Sequence, residues 1–245
     1  MIIGNKIYHK KTCKNSIEWA KSKINEDPDG TVYIVDTMDS ARGRQGRQWV
    51  VQPGQLLVTI LLKPENLTNI NINFINMAFS LAVLNSIKSY GTKLKWPNDF
   101  FIDQKKVGGI LFESVWCGNN LMAVIVGFAL NVNNSNLGYE LQNVATSLTN
   151  VVNRKIDTSE LLTSILKNCE HFYNFWRLGD YQNIYKYWKD AQLLNREIIK
   201  VHTLDGVLKT GLVKDFLPSG DLVLEINSGK NIVLPFYIVN NCILQ

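Results

Sequence analysis

Scarcity sorts this sequence first. Its four cysteines, Cys13, Cys117, Cys169 and Cys242, lie far apart, with no CxxC pair and no histidine at ligand spacing. That argues against a zinc site and a disulfide framework, and it predicts reduced thiols in a cytoplasmic protein. His9, His171 and His202 sit in no hydrolytic constellation, and no GxSxG occurs, which argues against a Ser-His-Asp hydrolase. No apolar run reaches the ~18 residues of a membrane span. The N-terminal "MIIGNKIYHKKTCKN" also lacks the apolar core of a signal peptide. Charge of one sign is scarce too: 26 Lys and Arg stand against 21 Asp and Glu, so an anionic partner is permitted without being demanded. What is abundant is apolar surface, 46% of 245 residues, enough for one large core with a small satellite.

Periodicity and turn residues give a coarse map. "NSIEWAKSKIN" (15–25) carries Ile17, Ala20 and Ile24 at helical spacing and is stopped by "DPDG". "TVYIVDT" (31–37) and "QLLVTILLK" (55–63) read as strands, the second apolar enough to be buried on both faces. Residues 73–91 form a buried helix with Gly91 as its C-terminal cap. "KLKW", "FFID", "VGGILFESVW" and "LMAVIVGFALNV", divided by "PND" and "DQKK", predict an antiparallel meander. Helices return at 158–178 and 181–191, with Phe172, Phe175 and Trp176 as core. From about 194, short strands linked by "LDG", "PSGD" and "NSGK" predict a small β-barrel.

Three polar clusters interrupt this apolar frame. "ARGRQGRQW" (41–49) cannot be a stable helix, because Gly43 and Gly46 each cost roughly 1 kcal/mol against alanine. It is a loop between two strands, either a solvated basic turn or a mobile loop that closes on an anion. Arg42, Arg44 and Arg47 offer planar forks of donors to phosphate or carboxylate, and the glycines let backbone N–H groups approach. In "KWPND" (95–99), the proline forces a turn over a packed Trp96, with Asn98 and Asp99 as ligands or as turn caps. In "KKVGG" (105–109), Lys106 is an anion ligand or an ordinary hairpin lysine, and Gly108 and Gly109 would let a ligand lie against the strand. Asn131, in "GFALNVN", could read an adenine edge.

The order of "RGRQGRQW", "KWPND", "KVGGIL", "GFALNVN" and "ATSL" (145–148), followed by a small barrel, resembles the biotin protein ligases over nearly the whole chain. The resemblance implies an α+β fold, with a central mixed sheet and packed helices of the biotin/lipoate ligase type over 1–193 and an SH3-like barrel over 194–245. It implies two steps: activation of biotin by Mg·ATP to biotinyl-5'-AMP, then transfer to a lysine of a biotin carboxyl carrier domain of an acyl-CoA carboxylase.

Position by position, Arg42, Gly43, Arg44, Gly46 and Arg47 match the loop that closes on the adenylate, and Trp49 the residue that packs on adenine. Asn98 and Asn131 match adenine-side contacts, and Lys95 and Asp99 the wall around the reacting phosphate. Lys106 matches the lysine that reaches the biotin carboxylate and the phosphate. Arg42, Arg44, Asp99 and Lys106 are thus the expected catalytic set, with metal ligands unassigned. Larger relatives carry an N-terminal DNA-binding domain; this chain begins at the catalytic domain, so no DNA partner is expected, while the resemblance allows a homodimer through sheet edges and the sequence does not give the oligomeric state.

The biotin end departs from the family pattern. Cys13-Lys14-Asn15 stands where Ser-Thr-Asn is usual, Met38 and Ala41 where a glutamine is usual, and Phe128 and Ala129 where Gly or Ala is common. These changes predict a weaker or rearranged pocket crowded by Phe128, or a different acyl group. The alternatives are therefore a lipoate or octanoate ligase of the same fold and, from another class, a nucleic-acid-binding module.

Overall fold

The computed structural model of the chain describes residues 1–64, 72–226 and 229–244. Its first half alternates strands with two helices: β1 (Ile7–Cys13), α1 (Ser16–Ser22), β2 (Thr31–Met38), β3 (Gln55–Leu62), α2 (Ile72–Ile87), β4 (Lys93–Lys95), β5 (Asp99–Ile102), β6 (Lys105–Cys117) and β7 (Asn120–Asn131). Three helices follow, α3 (Leu148–Val152), α4 (Thr158–Arg177) and α5 (Tyr181–Asp190). Five short strands end the chain: β8 (Ile198–Thr203), β9 (Leu208–Phe216), β10 (Leu222–Ile226), β11 (Asn231–Leu234) and β12 (Val239–Leu244).

The first seven strands form one sheet in the order β1-β2-β3-β7-β6-β5-β4. β3 and β7 sit at its centre, and the dense apolar character of "QLLVTILL" has its cause there: α2 covers one face and α1 the other, so every residue from Leu56 to Leu62 is buried. The expected meander is present, with β4, β5, β6 and β7 pairing antiparallel in turn. The sheet is mixed because β1 runs parallel to β2. Sequence reading assigned no strand to residues 7–13, because "IYHKKTC" lies at a sheet edge and is mostly exposed, so no apolar alternation marks it. The helix expected over 15–25 stops at Ser22, and that expected over 73–91 gives way after Ile87 to a 3-10 turn closed by Gly91 in the left-handed region at φ 79°. α3, at five residues, is too short to show a period.

α2 is apolar nearly all round because β3, β6 and β7 lie beneath it and α4 and α5 pack beside it. Phe172 and Trp176 are buried as expected, and Phe175 is half-buried against them. The second sheet, ordered β11-β10-β9-β8-β12, shares this core rather than making its own: Trp188 meets Phe216 edge-on at 5.7 Å, and the Trp96 indole donates to Gly220 O at 2.7 Å. A fully buried Trp contributes on the order of 4–6 kcal/mol of transfer free energy, so Trp96 is a principal tie between the sheets. The "LDG" and "PSGD" links are turns, whereas residues 227 and 228 of "NSGK" lie outside the described residues. No helix among the described residues is long and apolar enough to cross a membrane.

Candidate active site

The arginine loop is a pinned hairpin rather than open coil. Arg42 bridges Gln48, Gly43 N–H donates to Arg47 O at 2.7 Å, and Trp49 N–H donates to Ala41 O at 3.0 Å. Gln45 and Gly46 turn the tip through the left-handed region, at φ 58° and 72°. The tip rests on the second sheet: the Arg44 guanidinium donates to Phe236 O, and Gln45 Nε2 to Val239 O at 2.9 Å. Burial, with the neighbouring Arg47 charge, pulls the Arg44 guanidinium below its ordinary value, and Asp99 partly opposes this.

Arg44 also reaches the "KWPND" turn, with its Nη1 3.5 Å from Asn98 Oδ1. Asn98 is fixed by Nδ2 donating to Ile110 O at 2.8 Å and by its own carbonyl accepting from Ile110 N–H at 2.9 Å. Asp99 opens β5 opposite Gly109, and Lys106 Nζ lies 2.6 Å from Asp99 Oδ1. The same ammonium stands 5.4 Å from the Trp49 ring centroid, while Lys95 lies over Phe101 at 4.3 Å. Beneath this turn, Cys242 Sγ donates to Trp96 O at 3.2 Å; burial pushes its thiol up to about 11, so it supplies no thiolate at neutral pH.

Two cavities meet here. One of about 260 Å³ lies between α1 and the sheet, lined by Asn15, Met38, Ala41, Arg42, Gly43, Arg44, Arg47, Trp49, Asn98, Asp99, Lys106 and Gly109 among others, so four cations face one carboxylate. The second, about 540 Å³, lies beyond Trp49 and adds Lys95, Asn131 and Val144 while sharing Arg47, Trp49, Asp99 and Lys106 with the first. Most of the residues singled out in the sequence thus converge on one cleft. Gly46 and Gly108 line neither cavity.

The sequence model of the biotin/lipoate A/B protein ligase family matches residues 8–131, half of the chain. The chain belongs to this family. The ligase is 30% identical to the bifunctional ligase/repressor BirA of Bacillus subtilis, over 91% of its own length and 70% of the relative's. It is 26% identical to the biotin--[acetyl-CoA-carboxylase] ligase of Mycobacterium tuberculosis, over 88% and 80%. Among solved structures, a biotin protein ligase from Aquifex aeolicus in complex with biotin and ATP shares the fold, with a TM-score of 0.81 at 23% identity, covering 98% of this chain and all of that one.

Strand alternation turns Gly127 and Ala129 of β7 toward the α1 face and packs Phe128 in the core cluster with Val126 and Leu130, and Phe128 also lines the smaller cavity. One expectation about the ligase's pocket needs correction. Gly108 makes no room for a ligand: a Cβ there would sit 2.5 Å from Leu130 Cδ2 and 2.6 Å from Ala129 O, so glycine is required by β6–β7 packing. Gly109 does face the site, where a Cβ would lie 3.1 Å from Asp99 Oδ1 and 3.6 Å from Lys106 Cε.

Other residues serve the frame as well as the cleft. Asn15 caps α1, its Oδ1 accepting from Ile17 and Glu18 N–H and its Nδ2 donating to Ser40 O. Asn131 Oδ1 accepts from Gln55 and Asn134, and its Nδ2 donates to Thr146 O, which leaves one amide N–H free.

Sequence reasoning missed the floor. Ser16 Oγ and Thr59 Oγ1 lie 2.7 Å apart, both buried in the cavity wall, and of their two protons only one is used between them. Gly127 completes the floor, where a Cβ would press on Ile17 Cδ1 at 3.2 Å. A glycine inside an apolar strand was the available signal for it. Nothing in the local pattern marks Ser16 or Thr59.

Proposed function

We propose that this ligase activates biotin with ATP and transfers it to a lysine of a carboxylase carrier domain in the cytoplasm. The observation that carries this reading is the junction itself: an acyl-sized cavity with a hydroxyl pair on its floor opens, at Lys106, Asp99 and the arginines, onto a larger cavity walled by Trp49 and Asn131. The biotin carboxylate lies in the first and the nucleotide in the second. Attack of a carboxylate oxygen on the α-phosphorus forms one P–O bond and breaks another, releasing pyrophosphate. Two anions must approach for this, so Lys106, Arg42 and Arg47 offset their repulsion and stabilise the charge that builds on the phosphorane. Trp49 offers its ring to the base, and the free Asn131 N–H a donor to the base edge. Mg²⁺ would enter with the ATP phosphates, and among the described residues that line the two cavities Asp99 is the carboxylate that would hold it.

The loop then keeps water from the mixed anhydride. Arg44→Gly removes the loop's tie to Asn98 and Phe236 O, and is expected to release the acyl-adenylate earlier; retention equal to the unmodified protein would count against this role.

Residues 1–193 form the catalytic unit in this reading, and 194–245 an SH3-like unit. A homodimer through a sheet edge belongs to the same reading; β1 and β4 are the outer strands of the larger sheet, and sedimentation velocity would detect it. The deciding experiment is exchange of labelled pyrophosphate into ATP without carrier, with biotin, lipoate and octanoate in parallel. Exchange with biotin alone supports the assignment, whereas exchange with only another acid transfers it to that acid.

A further inference from the structure

A third cavity, about 70 Å³, is lined by Arg44 and Asn98, neither of which lines the nucleotide cavity. It is bounded by the first turns of α2, by β6 and by the second sheet, and it shares Arg44, Asn98, Ile110 and Leu111 with the acyl cavity. Its wall holds an unexplained polar atom: Asn76 Oδ1 is buried with no hydrogen-bond partner, which costs about 1–3 kcal/mol unless a ligand supplies a donor. Its outer rim includes the exposed Ser219 in the turn between β9 and β10.

We propose that this narrow cavity admits the carrier lysine to the acyl-adenylate, with Asn76 Oδ1 positioning the incoming amine. The inference rests on the two-step reading above. That reaction has three reactants, and two cavities are assigned to two of them. The third reactant is a linear alkylamine, and of the other cavities among the described residues this one alone shares residues with the acyl cavity and has an apolar lining that suits such a chain. Met77, Leu111, Phe112, Trp188 and Phe236 suit its methylenes, and Asn76 accepts from its nitrogen. The charge at the inner end also helps. Lysine enters as an ammonium, and the neighbouring Arg44 guanidinium with partial burial favours loss of its first proton to solvent, which leaves the nucleophile neutral. The amine nitrogen then bonds to the acyl carbon, the bond from that carbon to the phosphate oxygen breaks, AMP leaves with the electron pair, and the second proton goes to solvent.

The test separates the half-reactions. Asn76→Leu is expected to keep biotin-dependent pyrophosphate exchange while single-turnover transfer from preformed biotinyl-AMP to the carrier domain of an acetyl-CoA carboxylase falls tenfold or more. Transfer to hydroxylamine, which needs no long channel, is expected to stay within twofold. Should Asn76→Leu lose exchange through misfolding, Ser219→Trp narrows the rim from an exposed turn and is expected to give the same split. Carrier transfer at the unmodified rate in the variants that retain exchange overturns the proposal. Failure of the unmodified protein to exchange with biotin would instead overturn the function on which it rests.

Discussion

At the mouth of the cleft, three arginines and two glycines occupy one nine-residue loop, facing Asn98 and Asp99 in a second short motif and Lys106 in a third. At the floor, Ser16, Thr59 and Gly127 come from α1, β3 and β7 and meet only through folding. The mouth must hold mobile negative charge, which takes dense cations and adaptable backbone on loops. The floor must fit one acyl group, which takes small side chains and hydroxyls on rigid strands. Chemistry shared by every adenylating ligase is written compactly, and substrate shape is written diffusely.

Mutating each end separates the two. Lys106→Gln should cause the largest loss: it removes the charge at the junction and is expected to slow pyrophosphate exchange by ~10²–10³-fold, with biotin affinity by calorimetry changed far less. A loss confined to biotin affinity would move Lys106 from the mouth to the floor.

Next in size is the support of α1. Asp27 is buried and accepts from Lys6 at 2.7 Å, Tyr8 at 3.0 Å and Tyr33 at 2.6 Å, and Trp19 of α1 packs on both tyrosine rings. Burial pushes this carboxyl up, but the three donors and the Lys6 charge more than offset it, so it titrates below its ordinary value. Its stabilising effect is therefore complete above the unfolded aspartate pKa of about 4 and is lost as pH falls through the lower native value. Asp27→Asn should cost ~2–3 kcal/mol in urea unfolding at pH 7, with the difference narrowing below about pH 4. A pH-independent difference would show that the carboxylate's charge is not what matters.

A smaller effect is expected at Gly127. Gly127→Leu fills the floor and should raise KM for biotin about tenfold or more with KM for ATP nearly unchanged. Equal effects on both would dissolve the distinction between the ends. The finest test pairs neighbours: Gly108→Ala should destabilise by ~1–3 kcal/mol through the β6–β7 clash while KM stays put, and Gly109→Ala should slow exchange with stability within ~0.5 kcal/mol.

These contrasts also explain what could be read in advance. The meander from β4 to β7, the buried helix α2 and the small C-terminal strands follow from apolar patterning and turn residues, and the three polar motifs led to the mouth. β1 was invisible because an edge strand needs no apolar alternation. Gly108 was misjudged because a glycine's reason, ligand or neighbouring strand, appears only when the neighbour is in place. Ser16 carried no signal of its own, and only its approach to Thr59 makes it part of a wall.

The loop's hold on the second sheet has a consequence for inheritance. Arg44 and Gln45 donate to the carbonyls of Phe236 and Val239, not to their side chains. Every amino acid brings a carbonyl, so these hydrogen bonds survive drift at either position provided the chain keeps its path, and at Phe236 drift would cost only the ring that lies 5.9 Å from the Arg44 guanidinium. One partner in these hydrogen bonds is spelled out in a conspicuous arginine motif, and the other is passed on by the shape of the chain.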